Sequence, residues 1–286
     1  MQEYRMKCST PLKLDETLFC GQVFRWRKIG QSYYGFIGNS LTEINLTDKK
    51  LKVISYNTAE ESKIKDYFRF NDDLSIIRNK YKNEQIVSEL FNKFYGLRII
   101  KQEPLECAVS YITSIASNIK KIGKTIDNLS CLSTEAQRLG NVTGHPFPDV
   151  DQFLALKESD FIRSGMGFRV KYIINFQKFF KKEERLFYQI GDMDYREGMK
   201  LLLGVKGIGE KVADCILLFG FGKLEAFPVD RWIQRALIQV YNDDIDKTTR
   251  QYLKKFAMDR FGSYAGYVQQ YLFHGIRMNS IRILKI

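Results

Sequence analysis

The chain has 286 residues, 44% of them hydrophobic, which is enough apolar material for two packed units and too long a chain for one compact core. Lys and Arg outnumber Asp and Glu by 45 to 33, and the resulting net charge of +12 favours a polyanionic partner over an acidic small molecule, although a lysine-rich surface also serves solubility alone. Five cysteines (Cys8, Cys20, Cys107, Cys131, Cys215) at wide spacing without a CxxC pair, and only two histidines (His145, His274), argue against a disulfide frame and a zinc centre. The thiols read as reduced, in a cytosolic or nuclear setting. The N-terminus has no apolar core of signal-peptide length and no run approaches a membrane span, so a soluble, intracellular protein is expected.

From Cys20 to Ser55 apolar and polar residues alternate in short runs (VFRWRKIG, SYYGFIG, LTEINL, LKVISY), broken at IGQS, GNS and TDKK. That pattern predicts an antiparallel meander of four or so strands. Residues 59–98 carry helical periodicity, with Ile86, Leu90, Phe91 and Phe94 on one face. Residues 1–98 therefore read as an antiparallel sheet plus helices, and the fold class as α+β. After KQEP the signal is helical throughout, beginning with Pro104 in a first turn and LECAVSYITSIASNIKKI behind it. Helices are further predicted from DVDQFLAL, SDFIRSG, RVKYIINFQKFFKKEERLF, DYREGMKLLL, EKVADCILLFG, DRWIQRALIQVY, TTRQYLKKFAMDRF and SYAGYVQQYLFHGI, many opening on Ser, Thr or Asp. The second unit, 99–286, is expected to be all-α.

Within it, LLLGVKGIGEKVADC (201–215) places three glycines in six positions. Asp194 can cap the preceding helix and Gly204 can end it in the left-handed conformation. Gly207 and Gly209 permit a tight turn with unobstructed amides, and a new helix starts near Glu210, which together make an anion site. The same residues would also suit an ordinary helical hairpin with glycine caps.

Lys211, Cys215 and Phe219 follow at intervals of four on one face, and apolar residues surround them. Lys211 thus stands at a rim between solvent and interior, where desolvation and a helix N-terminus favour the neutral amine, a nucleophile able to form a Schiff base. A snorkelling lysine covering the core is the plainer alternative. Fifteen residues past Cys215, Asp230 occupies a helix-cap position before Trp232 and Ile233. A capping carboxylate beside a lysine hairpin can also serve glycosidic cleavage, where positive charge develops on the sugar.

KVADCILLFG with AFPVDRWIQR resembles the lysine-bearing DNA glycosylases of the helix-hairpin-helix superfamily, in particular the 8-oxoguanine DNA glycosylase family. CGQVFRWR, EPLECAVSYITSIASNI, GHPFPDVDQF, GMGFRVKYI and YAGYVQQYLFHG resemble family segments in the family's order, spanning nearly the whole chain. The resemblance implies an α+β sheet domain followed by a helix-hairpin-helix glycosylase domain. It also implies a bifunctional glycosylase and abasic-site lyase that excises 8-oxoguanine from duplex DNA. Lys211 and Asp230 would be catalytic. Gly21, Cys215, Phe219, Gln269 and Phe273 would form the damaged-base pocket: the Gly21 carbonyl accepts the N7 hydrogen of 8-oxoguanine, Gln269 reads the Watson-Crick edge, and Phe273 and Cys215 sandwich the ring. A β-bulge would equally explain Gly21 in a strand-like run. DNA contacts would come from Gly204, Gly207, Gly209, Ala116, Asn118, Lys121, Phe168 and Arg169. No cofactor or catalytic metal is implied, a structural monovalent cation at the hairpin is compatible, and the protein is expected to act as a monomer with no membrane partner. Its place would be cytoplasmic and nucleoid-associated in a bacterium or archaeon, and nuclear in a eukaryote.

The chain departs from the family at several points, among them Lys206, which stands before Gly207 where the family usually has proline. Ala116, Ser117 and Asn118 stand where eukaryotic members have three asparagines, so a strict preference for cytosine opposite the lesion is not expected. Phe168 replaces a wedge tyrosine, and Trp232 replaces a histidine after the catalytic aspartate. No cysteine follows Cys215, which sets aside the iron-sulfur relatives. Two other readings are a non-catalytic helix-hairpin-helix DNA-binding module and a glycosylase of the same mechanism for another oxidised base.

Overall fold

Three two-residue turns set the register of the N-terminal sheet. In the computed structural model, which describes residues 2–8, 10–57 and 60–280, β1 (Gln2–Lys7), β2 (Arg27–Ile29), β3 (Ser32–Ile37), β4 (Ser40–Thr47) and β5 (Lys50–Ser55) form an antiparallel sheet in the order β1-β5-β4-β3-β2, with α1 (Leu14–Leu18) between its first two strands. The pairs Ile29 with Ser32, Ile37 with Ser40 and Thr47 with Lys50 close hairpins over Gly30-Gln31, Gly38-Asn39 and Asp48-Lys49. Asp48 and Lys49 both take positive φ, +50° and +59°, the twist that suits a right-handed ladder. Along β5, Leu51, Val53 and Ser55 point inward while their neighbours do not. β1 was not expected: Glu3, Arg5 and Lys7 alternate with Tyr4 and Met6 and pair with β5 at the sheet edge, where charges blunt further pairing.

Five more helices and a pair of cores follow. Ile64 and Phe68, on and after α2 (Glu61–Tyr67), pack with Trp26, Ile44, Leu51 and Val53 under the sheet. Leu74 and Ile77 of α3 (Leu74–Lys80) and Val87, Leu90 and Phe91 of α4 (Gln85–Lys93) instead join the larger helical core. α5 (Pro104–Thr113), with Pro104 at its first position, and α6 (Ile119–Ser133) open that helical unit. They are two helices where the sequence predicts one run, because Asn118 caps a new start after an irregular turn.

The rest is helical with one exception to the all-α expectation. β6 (Gln137–Leu139) and β7 (Val142–Gly144) form a small hairpin. Its Gln137 carboxamide accepts from Leu41 N–H at 2.7 Å and donates to Asn39 O at 2.8 Å, so the side chain docks as a peptide unit on the end of β4. Then come α7 (Val150–Ala155), α8 (Glu158–Ser164), α9 (Val170–Gln189), α10 (Tyr195–Leu203), α11 (Glu210–Phe219), α12 (Arg231–Val240), α13 (Arg250–Phe261) and α14 (Ala265–Arg277). α14 crosses the core: Tyr271 stacks on Phe91 at 3.9 Å and its hydroxyl donates to Leu97 O at 3.0 Å. Among the described residues no helix is long and apolar enough to cross a membrane.

Candidate active site

The hairpin between α10 and α11 turns at a different glycine from the one expected. Asp194 caps α10 through a reciprocal box with Glu197, as the sequence predicts. Gly204, however, stays right-handed (φ −67°, ψ −17°), and the left-handed step falls at Gly207 (φ +109°), where an added Cβ would lie 2.4 Å from the Tyr172 ring. The turn reverses there because only glycine fits both the angle and the ring beneath it. Gly209 caps α11 in extended backbone, with open space where its Cβ would be and no side chain bonded to the helix start. The α11 N-terminus is thus an uncovered set of amides carrying the positive end of a helix dipole.

Lys211 and Asp230 enter one cleft of about 1550 Å³ that runs along this N-terminus. The Lys211 ammonium donates to Ser114 Oγ at 3.3 Å and stands 5.3 Å above the Tyr111 ring. Asp230 caps α12, and both amides it accepts, from Trp232 at 2.9 Å and Ile233 at 2.8 Å, land on Oδ1. That leaves Oδ2 without a hydrogen-bond partner among the described residues. One turn beyond Lys211, Cys215 is buried, and burial pushes its thiol up to about 12 against the opposing pull of Lys211. It therefore backs the cleft as a neutral, polarisable side chain.

On the sheet side, Gly21 lines the same cleft in a left-handed conformation, φ +95°. A Cβ there would come within 2.9 Å of Ile119 and 3.2 Å of Phe273, so the bare backbone is packed against the phenyl ring. The loop is held on both flanks. Gln22 donates to Thr17 O and Arg98 O at 2.8 Å each, and Arg277 donates to Phe19 O at 2.8 Å.

Not every expected pocket residue reaches the cleft. Phe273 lines it, whereas Cys215, Gln269 and Phe219 lie behind the wall. Phe219 stacks on Tyr111 at 5.5 Å with ring planes 12° apart, so its expected place in the pocket is corrected: Tyr111 is the face exposed to the cleft and Phe219 backs it. The Gln269 amide donates to Pro228 O at 3.3 Å, and its Oε1 is buried without a partner among the described residues. Sequence reasoning missed Tyr111, Ser114, Asp214 and Lys254 on the cleft wall. Nothing in their spacing marks them, since the helices that carry them meet only in the fold.

The remaining candidates form a rim. Phe168 is 54% exposed, with the Arg169 guanidinium 4.4 Å from its ring. Arg169 was expected to face DNA, yet it is buried and donates to Ile115 O at 2.6 Å, Ala116 O at 2.8 Å and Met166 O at 3.1 Å. Ala116 stands exposed at φ +48°. Asn118 caps α6 by accepting from Lys121 N–H at 3.0 Å, and the Lys121 side chain points to the surface.

A cleft with a lysine, a carboxylate, an uncovered helix N-terminus and a rim aromatic also has relatives. Residues 5–108 match the family described as 8-oxoguanine DNA glycosylase, N-terminal domain. A probable N-glycosylase/DNA lyase of Methanothermobacter thermautotrophicus is 31% identical over 76% of this chain and 72% of its own. The N-glycosylase/DNA lyase OGG1 of Arabidopsis thaliana is 28% identical over 92% of this chain and 77% of its own. The crystal structure of Clostridium acetobutylicum 8-oxoguanine glycosylase/lyase, in complex with double-stranded DNA containing cytosine opposite the lesion, superposes with a TM-score of 0.88 at 27% identity, covering 98% of this chain and 99% of that one. The chain belongs to the 8-oxoguanine DNA glycosylase/lyase family, and it is a bifunctional N-glycosylase and DNA lyase.

Proposed function

We propose that this chain releases 8-oxoguanine from duplex DNA by imine chemistry at Lys211 and then cuts the strand by β-elimination. The observation that carries the reading is the common cleft of Lys211 and Asp230 beside the uncovered start of α11. The neutral Lys211 amine attacks C1′ as the C1′–N9 bond breaks and its electrons leave with the base, which takes up a proton. The C1′–O4′ bond then opens, with the amine's proton passing to O4′, to give the imine, which draws electrons from C2′ as a C2′ proton is lost and the C3′–O bond breaks to release the 3′ phosphate. Asp230 stabilises the positive charge that builds on the sugar. The amides around Gly207 and Gly209 hold a backbone phosphate.

The flipped base enters between Gly21 and Phe273, with unstacking repaid by the pocket. The Gly21 carbonyl accepts the N7 hydrogen that guanine lacks, and an acceptor left facing a bare N7 would discriminate against guanine. Gln269 gives up its 3.3 Å bond to Pro228 O and swings its carboxamide, with the unpartnered Oε1, to the base edge. Phe168 fills the vacated stack, while Ala116 offers no side-chain amide there, so selectivity for the opposite base is weak. No cofactor takes part. A structural monovalent cation held by carbonyls of the hairpin turn is compatible with this reading.

Borohydride trapping on a duplex containing 8-oxoguanine tests the proposal. A covalent adduct with the native chain and none with Lys211→Gln is expected. Base release that survives in Lys211→Gln would overturn it.

A further inference from the structure

The cleft wall holds an ion pair that this chemistry does not use. Asp214, on α11 less than one turn after Lys211, is fully buried, and its carboxylate is fixed from two other helices. The Tyr195 hydroxyl of α10 donates to Oδ1 at 2.5 Å, and Lys254 Nζ of α13 lies 2.8 Å from Oδ2, off the line of a hydrogen bond. Asp214 and Lys254 both line the cleft that Lys211 enters, and only 14% of the Lys254 side chain is exposed. Burial pushes the Asp214 carboxyl up while Lys254 and Tyr195 pull it down. Residues three apart on a helix are neighbours, about 5–6 Å between Cβ atoms, so Asp214 leaves α11 beside Lys211, and Lys254 joins both in lining the cleft.

We propose that Asp214 and Lys254 balance each other's charge beside Lys211, and that this balance sets the pH at which the Lys211 amine becomes free to attack. The inference rests on Lys211 being the nucleophile. Both are positioning residues, acting through the lysine. A lone ammonium at Lys254 would drive a proton off Lys211, and a lone carboxylate at Asp214 would hold it on. The other charged or titratable groups on the wall are Tyr111 of α5, Lys120 of α6, Tyr172 of α9, Glu210 of α11, Asp230 and Arg231 at α12, Arg250 of α13 and Arg277 of α14, with the Cys215 thiol buried behind. None of them changes in the variants below.

The test is the pH profile of borohydride-trapped adduct formation in Asp214→Asn, Lys254→Met and the double variant, with a thermal melt of each. Asp214→Asn keeps an acceptor for Tyr195 and strands the Lys254 ammonium, so its half-maximal pH falls by about one unit. Lys254→Met moves it up by about as much, and the double variant returns to the native midpoint. A pair that only staples α11 to α13 would lower the melting temperature of all three variants without moving any midpoint, and that result overturns the inference. So does an Asp214→Asn midpoint that rises, or a double variant that fails to restore it. Should Asp214→Asn not fold, an unmoved midpoint in Lys254→Met is equally decisive against it. Absence of any adduct in the native chain would instead sink the proposed function.

Discussion

Arg169 holds Ala116 in a left-handed conformation: the guanidinium donates to the Ala116 carbonyl at 2.8 Å and to that of Ile115 at 2.6 Å, and Ala116 sits at φ +48°. A non-glycine residue there is strained by roughly 1–2 kcal/mol, which the buried arginine offsets. Arg169→Ala removes bonds to three carbonyls, those of Ile115, Ala116 and Met166. It is expected to lower stability by about 2–4 kcal/mol, read as a fall in melting temperature.

Ala116→Asn asks a different question of the same turn. Asparagine tolerates the left-handed region and the position is exposed, so stability should stay within about 0.5 kcal/mol of native. The added amide reaches toward the space a flipped base vacates. Cleavage opposite cytosine should then rise over the other three bases by more than about tenfold, roughly 1.4 kcal/mol, with the native chain below that ratio. Parallel duplexes with each opposing base measure it, and a native chain already above tenfold would remove the reason for the substitution.

The hairpin glycines separate folding from binding. At Gly207 a Cβ meets Cβ, Cγ and Cδ1 of Tyr172 at 2.4–2.7 Å on top of the φ of +109°, so Gly207→Ala should cost about 2–4 kcal/mol of stability. At Gly209 the same methyl meets nothing within 4 Å. Gly209→Ala should therefore cost under about 1 kcal/mol, yet weaken duplex binding, because the methyl occupies the approach to the α11 amides. Melts and titrations with an abasic-analogue duplex distinguish the two.

These positions show what the sequence could reveal. Local signals came through: Pro104 opens a helix, Asp194 and Asp230 cap, and the three turns of the sheet fall at the glycine and aspartate positions that demand them. Lys211 and Asp230, each in a distinctive local phrase, line one cleft. Features made by tertiary context were not legible. β1 is half charged and becomes a strand only because β5 offers it an edge, and the break at Ala116 lacks any Gly or Pro because Arg169, 53 residues on, stabilises it. Phe219 shares a helical face with Lys211, yet Tyr111 arrives from α5 and takes the cleft surface first.

Gln269 bears a buried oxygen without a partner among the described residues, which is a standing cost of about 1–3 kcal/mol unless a ligand meets it. Gln269→Leu removes that oxygen together with the 3.3 Å bond to Pro228 O, so stability should change by no more than about 1 kcal/mol. Release of 8-oxoguanine should fall at least tenfold while cleavage of a preformed abasic site persists. Equal loss of both activities would show that the residue supports the fold and does not read the base.

His274 makes stability depend on pH in a way that can be assigned to one side chain. It is buried on α14 against the Phe94 ring, 4.6 Å between centroids, with neither ring nitrogen bonded among the described residues. Burial, helped by Arg277 and Lys13, lowers its pKa from 6.5 to about 4. The unfolded chain therefore takes up this proton first, and the folded state loses ground as pH drops below 6.5. The loss grows until about pH 4, where the folded form also protonates, and amounts to about 3 kcal/mol. Above pH 6.5 the imidazole is neutral in both states and contributes no pH dependence. His274→Leu should flatten this part of the acid limb, so the difference in melting temperature between pH 7 and pH 4.5 shrinks relative to the native chain. An unchanged difference would mean that the buried imidazole finds a partner for its proton when the pH falls.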